Sequence, residues 1–215
     1  MNLVCVSGNT GSGKSTLIGP LVRRLDERAK TIALLEDAMQ PPRVGEMLRD
    51  QQTWALVLQL SFLVERASAL IERAGQQLTV VMERSLAEDA VFFTRFVDHG
   101  MIRSSLTAPY AEVRDAVESL CPPPVGYVYL DCPPEICLSR LKAASVSGAR
   151  PVHISYDDLE RYVLELDASY RTWRRKLDGS IRVFDLRVAE VDGPSAADLD
   201  ECVDTVWSWI VPDDL

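Results

Sequence analysis

The sequence predicts an α/β fold of three layers, a five-stranded parallel sheet with helices on both faces. Three observations carry that expectation. Five short hydrophobic runs, residues 2–7, 31–35, 77–82, 126–130 and 181–186, read as strands. Longer segments with the helical spacing of apolar residues separate them, the alternation that calls for parallel strands covered on both sides. No internal repeat and no linker divides the 215 residues, so a single domain over 1–215 is expected.

The first run leads into the stretch GNTGSGKS, Gly8 to Ser15, which fits G-x-x-x-x-G-K-[S/T] at every fixed position. The spacing has a mechanical reason. Glycines at Gly8, Gly11 and Gly13 let the backbone curl so that the N–H groups around Asn9, Thr10 and Ser12 point inward at phosphate oxygens. The helix expected over 15–28, with apolar Leu17, Ile18, Leu21, Val22 and Leu25, starts at Ser15 and Thr16 and adds its N-terminal partial charge. Lys14 can reach the β- and γ-phosphates, and the Ser15 hydroxyl can ligate Mg²⁺. Strand before and helix after is the context this phosphate loop needs, so a bound nucleoside triphosphate such as ATP is expected.

Taken in order, the second strand ends at Glu36 and Asp37, and Pro41 and Pro42 break the chain before a short segment, 43–50. A long helix over 52–74 shows apolar Leu56, Leu60, Leu63, Ala67, Leu70 and Ile71. The third strand ends at Glu83, Arg84 and Ser85, followed by helices over 86–98 and 108–120. Pro122 to Pro124 form a stiff connector into the fourth strand, which ends at Asp131. A helix over 134–143 precedes a Gly/Ser-containing loop, 144–153, without periodicity. Ser155 is an expected N-cap for a helix to 177, and 196–210 closes the chain as a helix.

Ligands of open parallel sheets bind outside the carboxyl ends of the strands. Glu36, Glu83 and Arg84 stand there, where a carboxylate can accept a proton from an attacking hydroxyl or assist Mg²⁺. Gln59 and Arg66 are seven apart on the long helix, two turns, and so share a face.

Bulk properties narrow the class. A net charge of −9 and pI near 4.8 disfavour an extended nucleic-acid surface, which needs clustered Lys and Arg. No run reads as a bilayer span, and the chain enters its first strand without a basic leader, so a cytoplasmic protein is expected. Cys5, Cys121, Cys132, Cys137 and Cys202 share no metal-ligand spacing and read as free thiols. His99 and His153 have no evident partner, and Trp173, Trp207 and Trp209 read as packing.

With these residues in place, the sequence from about 2 to 177 resembles the deoxyribonucleoside kinases, the group that includes deoxycytidine and deoxyguanosine kinases. The resemblance implies a P-loop nucleotide-kinase fold with a lid loop, here 144–153. It implies that Glu36 accepts the 5′-hydroxyl proton and that Gln59 and Arg66 meet the base edge. Glu83-Arg84-Ser85 looks like the family's ERS motif, its arginine on phosphate or hydroxyl and its glutamate near Mg²⁺. By the same resemblance Asp89 pairs with Arg66, Phe93 stacks on the base, and Arg140 and Arg150 face the ATP phosphates. An Arg66–Asp89 pair would favour cytosine, adenine or guanine over thymine. A homodimer built on helices flanking the long one is also implied.

The lid departs from the family pattern. Between Arg140 and Pro151 only Lys142 and Arg150 are cationic, and the pair of glutamates is absent. A free deoxynucleoside is the expected acceptor. A nucleoside monophosphate, or a hydroxymethylated pyrimidine free or in DNA, fits the same loop and base, and a P-loop module that binds without turnover is a further reading.

Overall fold

The computed structural model describes residues 1–42, 44–147, 156–177, 179–189 and 194–211. Five strands run β1 (Asn2–Gly8), β2 (Thr31–Leu34), β3 (Thr79–Glu83), β4 (Pro124–Asp131) and β5 (Val183–Arg187). Between and after them lie α1 (Lys14–Asp26), α2 (Val44–Arg49), α3 (Gln51–Ile71), α4 (Asp89–Asp98), α5 (Thr107–Glu118), α6 (Pro134–Val146), α7 (Tyr156–Lys176) and α8 (Ala196–Ile210). All pairings are parallel, in the order β2-β3-β1-β4-β5.

β1 sits at the centre, and its alternation sorts the core into two layers. Val4 and Val6 face Leu17, Ile18 and Leu21 of α1 and Val203 and Val206 of α8. Leu3 and Cys5 face the other way, toward Leu63 and Leu70 of α3 and Leu166 and Tyr170 of α7. A third cluster, with Met47, Leu58, Phe93, Phe96 and Tyr110, joins α2, α3, α4 and α5 into a roof over the strand ends.

The expected three-layer α/β architecture is therefore present, with local shifts that have physical causes. Pro124 opens β4 instead of belonging to the connector; a proline at a strand's first residue has no ladder donor to lose. α4 begins three residues later than its periodicity predicts. Arg84 takes a left-handed backbone at φ 66°, and the Glu88 N–H donates to Ser85 Oγ at 3.1 Å in the turn that follows. α6 runs on to Val146, so the segment read as a loop starts as helix. The remainder of the expected lid, with Arg150, His153 and Ser155, lies outside the described residues. α8 is closed at its start by a reciprocal cap: Asp198 N–H donates to Ser195 Oγ at 3.2 Å, and Ser195 N–H to Asp198 Oδ2 at 2.9 Å.

One composition reading needs correction. α3 is long and apolar enough to cross a membrane by length and composition, with a mean hydropathy of 1.4. One side of it is core, since Leu58, Leu63, Ala67 and Leu70 are buried with Gln59 and Arg66 beside them, while Val57, Val64 and Ile71 on the same helix stay exposed. Such a helix reads as the core helix of a folded domain. The tryptophans do pack: Trp173 meets Tyr127 and Tyr170 edge-on, and Arg28 lies over the Trp207 ring.

Candidate active site

The phosphate loop joins β1 to α1 and is closed on its outer side by α6. Gly11 and Gly13 take φ 77° and 100°, a backbone that strains any other residue, and Gly11 also has no room for a side chain. A Cβ on Gly11 would stand 2.6 Å from the Cys137 carbonyl oxygen, and one on Gly13 would stand 3.0 Å from Arg140 Nη1. Lys14 is buried inside the curl, where Nζ donates to Gly8 O at 3.0 Å and Asn9 O at 2.9 Å. Burial, and then the Arg84 charge, bring its pKa down to about 8, against the pull of Glu83, Glu88 and Glu36. Asn9 ties the loop down, its Oδ1 accepting from Thr10 N–H at 2.8 Å and its Nδ2 donating to Val163 O at 3.0 Å. Arg140 Nη1 donates to Ser12 O at 2.7 Å, so this α6 cation rests on the loop. Gly11, Gly13, Lys14, Ser15, Thr16, Glu83 and Arg140 together line an open cradle.

At the mouth of that cradle the Ser15 hydroxyl donates to Glu83 Oε1 at 2.9 Å, while the other Glu83 oxygen accepts from Glu36 N–H at 3.2 Å. A hydroxyl and a carboxylate side by side next to a phosphate site are a donor set that fits Mg²⁺, which takes one or two protein oxygens plus substrate phosphates. Among the described residues no cluster of three His, Cys, Asp or Glu side chains forms a self-sufficient metal site.

Across the loop from the cradle lies a cavity of about 150 Å³ whose wall includes Thr10, Glu36, Gln59, Phe62, Arg66, Arg84, Asp89, Phe92 and Phe96. Glu36 opens the turn after β2 and stands between two arginines. Its Oε1 accepts from Arg84 Nε at 3.0 Å and from Arg66 Nη2 at 3.2 Å. Burial alone would push the Glu36 carboxyl upward, but the Arg84, Arg66 and Lys14 charges outweigh it and hold the pKa at about 2. Each arginine has a second anion behind it. Arg66 Nη1 donates to Asp89 Oδ1, and Arg84 Nη1 donates to Glu88 Oε1 at 3.2 Å. Asp89 is pushed up to about 6, by burial first and by neighbouring Glu88, against the Arg66 charge. Phe62 and Phe92 lie under the two guanidinium groups at 5.0 and 4.7 Å.

Four buried polar atoms near this cavity, Gln59 Oε1, Arg66 Nε, Asp89 Oδ2 and Tyr110 OH, have no hydrogen-bond partner among the described residues. Buried polar groups are nearly always paired, so a cluster of unpaired ones marks a place for a polar ligand. The family profile described as deoxynucleoside kinase matches residues 4–205. The chain belongs to the deoxynucleoside kinase family.

Relatives of this kinase agree over most of its length. A deoxyguanosine kinase from Lactobacillus acidophilus is 29% identical, with 95% of this chain and 90% of that protein covered. A deoxyadenosine/deoxycytidine kinase from Bacillus subtilis is 25% identical over 89% of this chain and 84% of its own. In fold, the kinase is similar to a deoxyadenosine kinase from M. mycoides solved with bound dATP. The TM-score is 0.72 at 17% identity, covering 96% of this chain and 99% of the other.

Most of the site residues expected from the sequence converge in the kinase. Glu36, Gln59, Arg66, Arg84 and Asp89 share one cavity, and Lys14, Ser15, Glu83 and Arg140 share the cradle. Among the described residues Phe93 departs from expectation. Its ring is buried and stacked face to face on Tyr110, centroids 3.9 Å apart, and the rings on the cavity wall are Phe62, Phe92 and Phe96. Phe93 therefore belongs to the roof's packing and not to the cavity wall. His99, expected to lack a partner, has its Nε2 2.8 Å from Glu165 Oε2, which also accepts from Arg95 Nε at 3.2 Å. Sequence reasoning missed Arg95, which lines the cavity with its guanidinium 4.6 Å from the Tyr162 ring, and the buried Glu88 and Tyr170 behind Arg84.

Proposed function

We propose that this kinase transfers the γ-phosphoryl group of ATP to the 5′-hydroxyl of a deoxynucleoside, with Glu36 as general base. The observation that supports it most is the position of Glu36. It stands between a phosphate cradle and a small cavity whose buried polar atoms want partners. Phosphoryl transfer asks for placement and charge compensation more than for covalent chemistry. Lys14 and Arg140 would hold the donor phosphates, Ser15 and Glu83 would hold Mg²⁺ against them, and Arg84 would meet the transferred group. Bound Mg²⁺ supplies charge neutralisation for the phosphate oxygens. Glu36, ionised throughout the neutral range, would orient the hydroxyl and take its proton. Gln59, Arg66 and Asp89 would read the base, and Phe62, Phe92 and Phe96 would enclose it.

ATP-dependent turnover on the four deoxynucleosides, their monophosphates and an oligonucleotide carrying hydroxymethylated pyrimidines tests this reading. Turnover of a free deoxynucleoside is expected. Turnover confined to monophosphates or DNA would move the acceptor, and none on any substrate would favour a module that binds without catalysis.

Base choice follows from Arg66 and Asp89. A carboxylate acceptor beside a guanidinium donor suits amino-bearing bases and guanine, so thymidine is expected to be the poorest of the four substrates. Because Asp89 sits at about 6, its acceptor form is lost as pH falls through that value. The kcat/KM for the best nucleoside should therefore drop below about pH 6, an inflection that Asp89→Asn removes. Faster thymidine turnover, or a wild-type profile flat through that range, would count against the assignment.

The proposed assembly is a homodimer. Val57, Val64 and Ile71 recur every seven residues along α3 and are 44%, 53% and 45% exposed, an apolar stripe suited to a second copy. Sedimentation should give twice 23.9 kDa, and Val64→Glu should return the monomer.

A further inference from the structure

Behind Arg84, on the far side from Glu36, lies a buried carboxylate to which the mechanism above assigns no task. Glu88 is 0% exposed, and both its oxygens are engaged. Ser7 Oγ donates to Oε2 at 2.6 Å, and Arg84 Nη1 donates to Oε1 at 3.2 Å. The Tyr170 hydroxyl, also fully buried, donates to the same Oε1 and accepts from Arg84 Nη1. These partners come from β1, the turn after β3, and α7, so the network ties three elements together behind one guanidinium.

Satisfied hydrogen bonds explain how the charge is tolerated there, not why it is present. Well-packed apolar residues in place of a whole buried charge network often serve stability equally well. The arrangement of Arg84 supplies a reason. Its backbone holds a left-handed φ of 66°, rare for a residue with a side chain, and its guanidinium is gripped at both ends, Nε by Glu36 and Nη1 by Glu88 and Tyr170. Removing the rear grip would free the cation to swing fully onto Glu36. Both oxygens of the base would then be neutralised, and an incoming hydroxyl would meet a weaker acceptor.

We propose that Glu88, together with Tyr170, is a positioning residue that anchors Arg84 from behind and thereby keeps Glu36 available to the substrate's hydroxyl. The inference rests on Glu36 being the base, and a separate control tests that premise.

The experiment compares Glu88→Gln, Tyr170→Phe and Glu36→Gln, with kcat normalised to the fraction of protein that binds an ATP analogue. Glu88→Gln removes a charged partner, and the normalised kcat should fall about 10–100-fold. Tyr170→Phe removes one hydrogen bond and leaves the carboxylate, and a loss of about 3–10-fold is expected. In both, KM for nucleoside and for ATP should stay within a factor of about three, because neither residue lines the cavity or the cradle. If Glu88→Gln does not fold, Tyr170→Phe still decides the matter. Wild-type normalised kcat in the folded variants, or a loss confined to nucleoside KM, overturns the inference. Glu36→Gln separates the two claims. Full activity there refutes Glu36 as base, whereas an inactive Glu36→Gln beside a fully active Tyr170→Phe refutes only the role of the network.

Discussion

Replacing Glu36 by glutamine is expected to lower kcat by about 10²–10⁴-fold, the range a positioned general base contributes. The substitution keeps the shape of the side chain and an oxygen to accept from Arg84 and Arg66. Both guanidinium groups retain a buried anion, Glu88 and Asp89 respectively, so neither becomes an unpaired cation. Nucleoside binding, measured by calorimetry, should therefore change little while turnover collapses. Stability offers a second reading with a definite sign. The Glu36 pKa is held down to about 2, below its ordinary 4.5, so its ionised form stabilises the fold above that ordinary value. That contribution is lost as pH falls from about 4.5 toward 2, and glutamine never had it. Wild type and variant should thus differ in Tm near neutrality and converge in acid. A variant that turns over at the wild-type rate would remove Glu36 from the chemistry.

Parts of this site were legible in the sequence because their chemistry is local. The phosphate loop has fixed spacing, and the strand-end rule singles out Glu36, Glu83 and Arg84 before any packing is known. Gln59 and Arg66 follow from one helical face, and the structure brings both to the cavity wall. What stayed hidden depends on elements that meet only in the folded chain. Phe92 and Phe93 are adjacent in the sequence. Which of the two rings faces the cavity is decided by Tyr110 on α5, whose ring covers Phe93. Glu88 reads locally as an acidic residue ahead of a helix, a common complement to the helix dipole. Its meaning comes from Tyr170, 82 residues further along the chain. The late start of α4 is of the same kind, since the left-handed Arg84 that delays it is held by contacts to β1, Glu36 and α7.

Truncating Asp89 to alanine should destabilise the fold by about 3–5 kcal/mol, the cost of breaking one partner out of a buried ion pair. Both side chains of the Arg66–Asp89 pair are only 3% exposed, so truncation leaves a buried cation short of an anionic partner. Among the described residues Arg66 would keep Glu36 as its remaining anionic partner, and its Nε already lacks a hydrogen bond there. For a chain of this size the expected fall in Tm is about 10 °C or more. The pair as a whole is a different matter. Taking two charges out of water costs about as much as their attraction returns, and well-packed apolar residues in their place are often neutral or better. Arg66→Met combined with Asp89→Leu should therefore recover most of the lost Tm while phosphorylation of every deoxynucleoside is lost. Recovery of stability without recovery of turnover would identify the pair as a recognition device kept at no gain to the fold. If the double variant is no more stable than Asp89→Ala, the pair is holding the roof of α3 and α4 together, and its place at the cavity is incidental.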